Sequence, residues 1–170
     1  MIFSICLAFP GAEWPVLNNR SKNGTTDRVL FGILTSAMHM TWVKYVCGRL
    51  ESRFRYSNTI VYNNFPFPEN VNDKQKQKVK TLAQAVLDTW AKYPDSSLAD
   101  LYDPLTMPPD LVKAHQGLDK AVNLCYRPQP FTNELNRIEY LFSLYEALTA
   151  PLLQAEKPKK RKSRAGQSPA

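Results

Sequence analysis

Cysteine is scarce in this chain and never paired. Cys6, Cys47 and Cys125 lie far apart in 170 residues, with no Cys-x-x-Cys spacing, so a disulfide framework and a thiolate zinc site are excluded as the basis of the fold, and a reducing cytoplasm is the fitting compartment. Histidine is as sparse. His39 and His115 fall in different helical segments with no carboxylate or cysteine at ligand spacing, and both read as packed side chains rather than metal ligands. No stretch approaches the ~20 uncharged apolar residues that a membrane span requires. The opening MIFSICLAFPGAEWP carries a short apolar run but no basic segment ahead of it, so a secretory signal is not expected. Positive charge is also missing where the overall balance suggests it. The net charge is +7, yet Lys157, Lys159, Lys160, Arg161, Lys162 and Arg164 supply six of the 22 basic residues, leaving sixteen basic against fifteen acidic over residues 1–156. A basic face on the body must therefore come from local patterning.

What the chain does have is a globular composition, 44% hydrophobic and 22% charged, enough for one domain or two small ones. Residues 1–27, with Pro10, Gly11, Pro15 and a polar SKNGTTD stretch, read as an irregular N-terminal arm. From Val29 to Leu50, apolar residues at Phe31, Leu34, Met38, Trp42, Tyr45 and Val46 form one helical stripe. Tyr56 to Asn64, rich in β-formers at Thr59, Ile60, Val61 and Tyr62, predicts a strand closed by Pro66 and Pro68. Residues 72–92 predict a helix. Asn72 and Gln75 have capping-box spacing, Val79, Leu82, Ala83, Val86, Leu87 and Trp90 share a face, and Pro94 ends the run. A second helix, Asp110–Tyr126, buries Leu111, His115, Leu118, Val122 and Cys125. A third, Thr132 to Leu153, buries Leu135, Ile138, Leu141, Phe142, Tyr145 and Leu148 and is limited by Pro151. Met38, Met40, Trp14, Trp42 and Trp90 are core candidates. The tail KPKKRKSRAGQSPA is disordered on composition. The fold class is mainly α with a small β element, ending in a small helical bundle.

The segment Arg49–Pro68, RLESRFRYSNTIVYNNFPFP, interleaves Arg49, Arg53 and Arg55 with Glu51, aromatics and asparagines, the side chains whose hydrogen-bond geometry matches base edges in the DNA major groove. With FGILTSAMHMTWV before it, LYDPLTMPPDLVKAHQGLDKAV at Leu101–Val122 and ELNRIEYLFSLYEAL at Glu134–Leu148, the chain resembles MmeI-like type II restriction–modification DNA methyltransferases over roughly residues 28–155. In that family one polypeptide carries nuclease, methylase and sequence reader. The resemblance implies residues 28–69 as the end of a target-recognition domain, residues 70–155 as a C-terminal helical domain and residues 156–170 as a basic tail. It also implies double-stranded DNA as partner. The recognition pair it carries over is Glu51 and Arg53, with Arg55 a second contact. A carboxylate accepts from the cytosine amino group and a guanidinium forks onto guanine, so two residues apart on an extended segment Glu51 and Arg53 would share one C·G pair. The plain alternative is a surface ion pair contributing about 0–1 kcal/mol.

The chain departs from the family where chemistry is concerned. It lacks the clustered aspartate and Glu-x-Lys set of the nuclease, the glycine-rich turn for S-adenosylmethionine and the Asn-Pro-Pro-aromatic motif. Asn64-Phe65-Pro66-Phe67 has phenylalanine in the second place and belongs to the strand exit. No catalytic residue and no cofactor site is expected in these residues, S-adenosylmethionine being bound in the family by domains missing here. The reading is a recognition and helical fragment, not catalytic alone, from a truncated or split gene. Alternatives are a specificity subunit working in trans with a separately encoded catalytic methyltransferase chain, or a helical interaction module or decayed remnant. A recognition domain cut near its end is expected to expose the apolar stripe of Phe31–Val46. The KPKKRK run resembles a nuclear import signal, but here reads as a solubilising or phosphate-contacting tail.

Overall fold

In the computed structural model, residues 24–50 and 53–155 are described. The first helix, α1 (Gly24–Leu34), is followed after two residues by α2 (Ala37–Val46). The stripe predicted as one helix is therefore broken, and Thr35 and Ser36 break it. The Thr35 N–H still joins the ladder at the Phe31 carbonyl (3.0 Å), its hydroxyl sharing that oxygen at 2.8 Å, but the Ser36 N–H tightens onto the Ile33 carbonyl (3.2 Å) and Ser36 turns extended (φ −78°, ψ 160°), which ends the run. The restart is capped from far away, since Asp119 Oδ1 accepts from the Ala37 N–H at 2.7 Å. Residues 24–27, read as part of an irregular arm, belong to α1. The arm before them lies outside the described residues, as does the basic tail.

Two short strands, β1 (Gly48–Leu50) and β2 (Arg53–Arg55), pair antiparallel, with Leu50 opposite Arg53. The strand expected over 56–64 is absent. Asn58–Tyr62 forms a single π-type turn, its Asn63 N–H bonded to the Asn58 carbonyl at 2.9 Å. The β-branched residues there fill a corner instead of a ladder: Val61 is buried and its carbonyl accepts from the Trp42 indole N–H at 3.0 Å.

The helices that follow obey their sequence signals. In α3 (Asp73–Trp90), the Asn72 side chain accepts from the Gln75 N–H at 2.8 Å and Gln75 reaches back to the Asn72 N–H at 3.0 Å, the predicted capping box. A second such box, Ser97 with Asp100, starts the short α4 (Leu98–Leu101) between α3 and the next long helix. The long α5 (Pro109–Tyr126) begins with proline at its first position. The last helix, α6 (Glu134–Ala155), continues through Pro151. The carbonyl that loses its donor belongs to Ala147, which is exposed and so open to solvent.

One core joins these elements. α3 packs on α5 and α1, and Val79, Val86, Leu111, Leu118 and Val122 are buried between them with Met38, Trp42 and Val43 of α2. Gly32 lies where α1 meets α3 and α5; a Cβ there would stand 2.8 Å from Val79 Cγ1. The apolar stripe expected to be exposed is covered, with Phe31, Leu34, Met38 and Trp42 all buried, although Tyr45 faces out. α6 is less covered than its pattern predicts. Ile138 and Leu141 are buried and Tyr145 packs on the core, but Leu135 (56%), Phe142 (39%) and Leu148 (49%) are exposed. Its main neighbour is α2, with Tyr140 also reaching the Tyr126 carbonyl of α5 at 3.1 Å, which leaves much of its surface bare. The Lys44–Glu134 ion pair ties the two together. No helix among the described residues is long and apolar enough to cross a membrane.

Candidate nucleic-acid interface

The β1–β2 ribbon carries the residues singled out for DNA reading. Its register sets Gly48 against Arg55, Arg49 against Phe54 and Leu50 against Arg53. Alternation then assigns positions 48, 50, 53 and 55 to one face and 49 and 54 to the other. On the second face the Arg49 guanidinium lies 4.6 Å from the centroid of the Phe54 ring, which packs against the core. On the first face Gly48, Leu50 and Arg55 are exposed; on the second Arg49 is exposed too and only Phe54 is partly buried. Arg55 is thus displayed on the first face, at a position two residues from 53; the Arg53 side chain lies outside what is described. Glu51 lies outside the described residues. The pairing does revise the premise of a single extended segment, because the chain reverses between Leu50 and Arg53.

The ribbon is held from below by aromatic side chains. Tyr56 meets His39 at 3.1 Å between its hydroxyl and Nε2, and the His39 ring stands edge-on to Phe65 at 4.5 Å. Phe65 packs edge-on against Phe67 at 4.9 Å, and Tyr126 on α5 donates to the Pro66 carbonyl at 3.0 Å. Asn64 donates to the Ile60 carbonyl at 2.9 Å and so closes the π turn. Asn64-Phe65-Pro66-Phe67 is therefore an anchoring connector, with Phe65 and Pro66 buried. Tyr56 and Tyr62 are half-buried, Tyr62 standing edge-on to Phe67 at 5.7 Å.

Both histidines are packed, as expected from their lack of ligand partners. Burial lowers His39 to a pKa of about 3 and His115 to about 4. The Trp90 indole donates to Tyr102 Oη at 3.0 Å, which leaves the Tyr102 hydroxyl to donate to His115 Nε2 at 2.7 Å. Among the described residues no group of histidine, cysteine, aspartate and glutamate is arranged to hold a metal ion. Burial also raises the thiols of Cys47 and Cys125 above their usual range, which makes them poor nucleophiles.

Sequence reasoning missed the hairpin itself, since Leu-Glu-Ser-Arg contains no glycine- or asparagine-based turn signal. It also missed a cationic group behind α5. There Arg127 stacks on Phe131 at 3.9 Å and donates to the Asn136 side-chain oxygen at 2.5 Å, with Arg137 on the neighbouring helix. The proline-flanked RPQPF segment was its only signal, and it read simply as a helix break.

Comparison with known proteins matches two consecutive parts of one family. The target recognition domain of MmeI matches residues 16–69, and the MmeI C-terminal domain matches residues 71–153. DNA methyltransferase A of Bacillus subtilis (strain 168) is 42% identical over 147 residues, which are 86% of this chain and 16% of that protein. The solved structure of the type IIL restriction–modification enzyme MmeI in complex with DNA superposes with a TM-score of 0.69 at 47% identity, covering 72% of this chain and 16% of that one. The chain thus spans about a sixth of the length of the relatives it matches. Mostly helical, with one two-stranded ribbon and both domains in their family order, this chain belongs to the MmeI family and carries its target recognition and C-terminal domains.

Proposed function

We propose that this chain reads double-stranded DNA for an MmeI-like adenine methyltransferase in the cytoplasm, with residues 28–69 supplying base contacts and residues 70–155 bracing them. The observation that carries this reading is that the target-recognition match over residues 16–69 contains a two-stranded ribbon with Arg55 exposed on it. Base reading needs guanidinium and carboxylate groups held on a rigid element. The ribbon meets that need, being fastened to α2 through Tyr56 and His39 and to α5 through Pro66. Glu51, Arg53 and Arg55 are the proposed contacts. S-adenosylmethionine and the methyl transfer belong, in this reading, to catalytic segments that act with the reader, in the same polypeptide or as a separate chain.

Selection from a randomised duplex pool by the purified 170-residue chain, followed by sequencing, tests the reading. The expected result is an enriched motif with a fixed C·G pair. In the catalytically complete enzyme, the double exchange Glu51→Lys, Arg53→Asp then changes the base preferred at that pair, by about 1–3 kcal/mol of discrimination. Binding without any enriched motif sinks the proposal, and unchanged base preference after the exchange removes the residue assignment.

A further inference from the structure

We propose that a pocket at the C-terminal end of α5, none of whose lining residues belongs to the ribbon, is an anion site that takes a phosphodiester of the duplex, so that the C-terminal domain grips DNA backbone while the ribbon reads bases. This proposal rests on the DNA-reading function above. The pocket measures about 600 Å³ and lies among the last turns of α5, the RPQPF connector and the first turns of α6. Its charged and polar walls include Lys120, Asn123, Arg127 and Arg137, together with Asp119.

Three observations favour an anion. Cations converge there in a chain body that is otherwise nearly neutral: the guanidinium carbons of Arg127 and Arg137 lie 3.9 Å and 6.0 Å from the centroid of the one Phe131 ring, and exposed Lys120 lines the same pocket. Like charges gathered this way are costly unless an anion sits among them. The one carboxylate in the pocket wall, Asp119, accepts the Ala37 N–H and faces Arg137 electrostatically, so it offsets one of the three positive charges of Lys120, Arg127 and Arg137 and leaves a net excess of two; Glu134 at the start of α6 pairs with Lys44. The site also contains unspent hydrogen-bonding capacity. Arg137 Nε is buried with no acceptor, and the Asn123 side-chain oxygen is buried with no donor. A phosphate oxygen satisfies the first directly. Turned about χ2, the Asn123 carboxamide presents its NH2 to the same ligand.

Arg127 is fixed before any ligand arrives, stacked on Phe131 and bonded to Asn136 and to the Gln129 carbonyl at 3.3 Å. A guanidinium held in place loses little conformational entropy on binding. This is the arrangement expected of a backbone contact, which positions a duplex without reading its sequence.

The test follows the Arg137 Nε–H resonance of the full chain, labelled with nitrogen-15, during titration with inorganic phosphate and separately with a short duplex. The salt dependence of duplex binding is compared among the parent chain, Lys120→Gln and Arg137→Lys. The duplex is expected to shift the Arg137 resonance. Lys120→Gln, at an exposed position, is expected to flatten the salt slope by about one, the loss of one phosphate contact. Arg137→Lys, which keeps charge but loses the fork, is expected to weaken binding with the slope retained. A shift with inorganic phosphate but not with duplex overturns DNA as the source of the anion. An unmoved Arg137 resonance under both titrants, while duplex perturbs the ribbon, overturns the pocket and leaves the reading function intact. Absence of duplex binding anywhere sinks the reading function and the duplex source together.

Discussion

At the scale of single residues, the two histidines report how this fold answers to pH. Each is uncharged in the core, with burial lowering His39 to about 3 and His115 to about 4, against about 6.5 in an unfolded chain. Between those values the unfolded state binds more protons, so stability rises with pH. It is complete above about pH 6.5 and falls by about 1.4 kcal/mol per pH unit for each histidine as pH drops toward 4. Urea unfolding between pH 7 and 4.5 is expected to show this slope, and His39→Phe to remove about half of it. An unchanged slope in that variant contradicts the assignment. The sequence marked both residues as packed because no partner stood at ligand spacing. It gave no hint that Tyr56 and Tyr102 would be their neighbours, because those contacts bridge 17 and 13 residues across separate elements.

At the scale of elements, local signals set α3 and α5 closely. A capping box, a proline at the first helical position and uninterrupted apolar spacing all act within a few residues. Where two local tendencies compete, tertiary contacts decide. The Thr59–Tyr62 run has strand-forming side chains, but Trp42 captures the Val61 carbonyl and the segment winds into a π turn. Likewise α1 and α2 share one apolar stripe, and their separation is fixed by Asp119, 82 residues from the helix start it caps. Burial raises the pKa of that carboxyl, the Ala37 hydrogen bond opposing it in part. Asp119→Ala is therefore expected to destabilise by about 1–2 kcal/mol, a helix-cap loss, and Asp119→Asn by less because an acceptor remains. Equal losses for both in urea unfolding would show that the cap contributes nothing.

At the scale of the whole molecule, charge and apolar burial are separated along the chain. Six of the seven net positive charges sit in residues 157–170. Deleting those residues is expected to weaken DNA binding and flatten its salt slope while leaving any enriched motif intact; an unchanged affinity and slope would exclude the tail as a phosphate contact. Apolar burial follows another plan, for one core runs through both family segments, with Gly32 of the first packed against Val79 and Leu118 of the second. The sequence alone determined the helical class, the caps and apolar faces of α3 and α5, and the family, because these depend on neighbours a few residues away or on long ordered motifs. Tertiary structure decided the break between α1 and α2, the antiparallel ribbon that displays Arg55, the partly bare face of α6 and the convergence of Lys120, Arg127 and Arg137. Each of these depends on groups brought together through space, and spacing along a chain carries no record of which surfaces will meet.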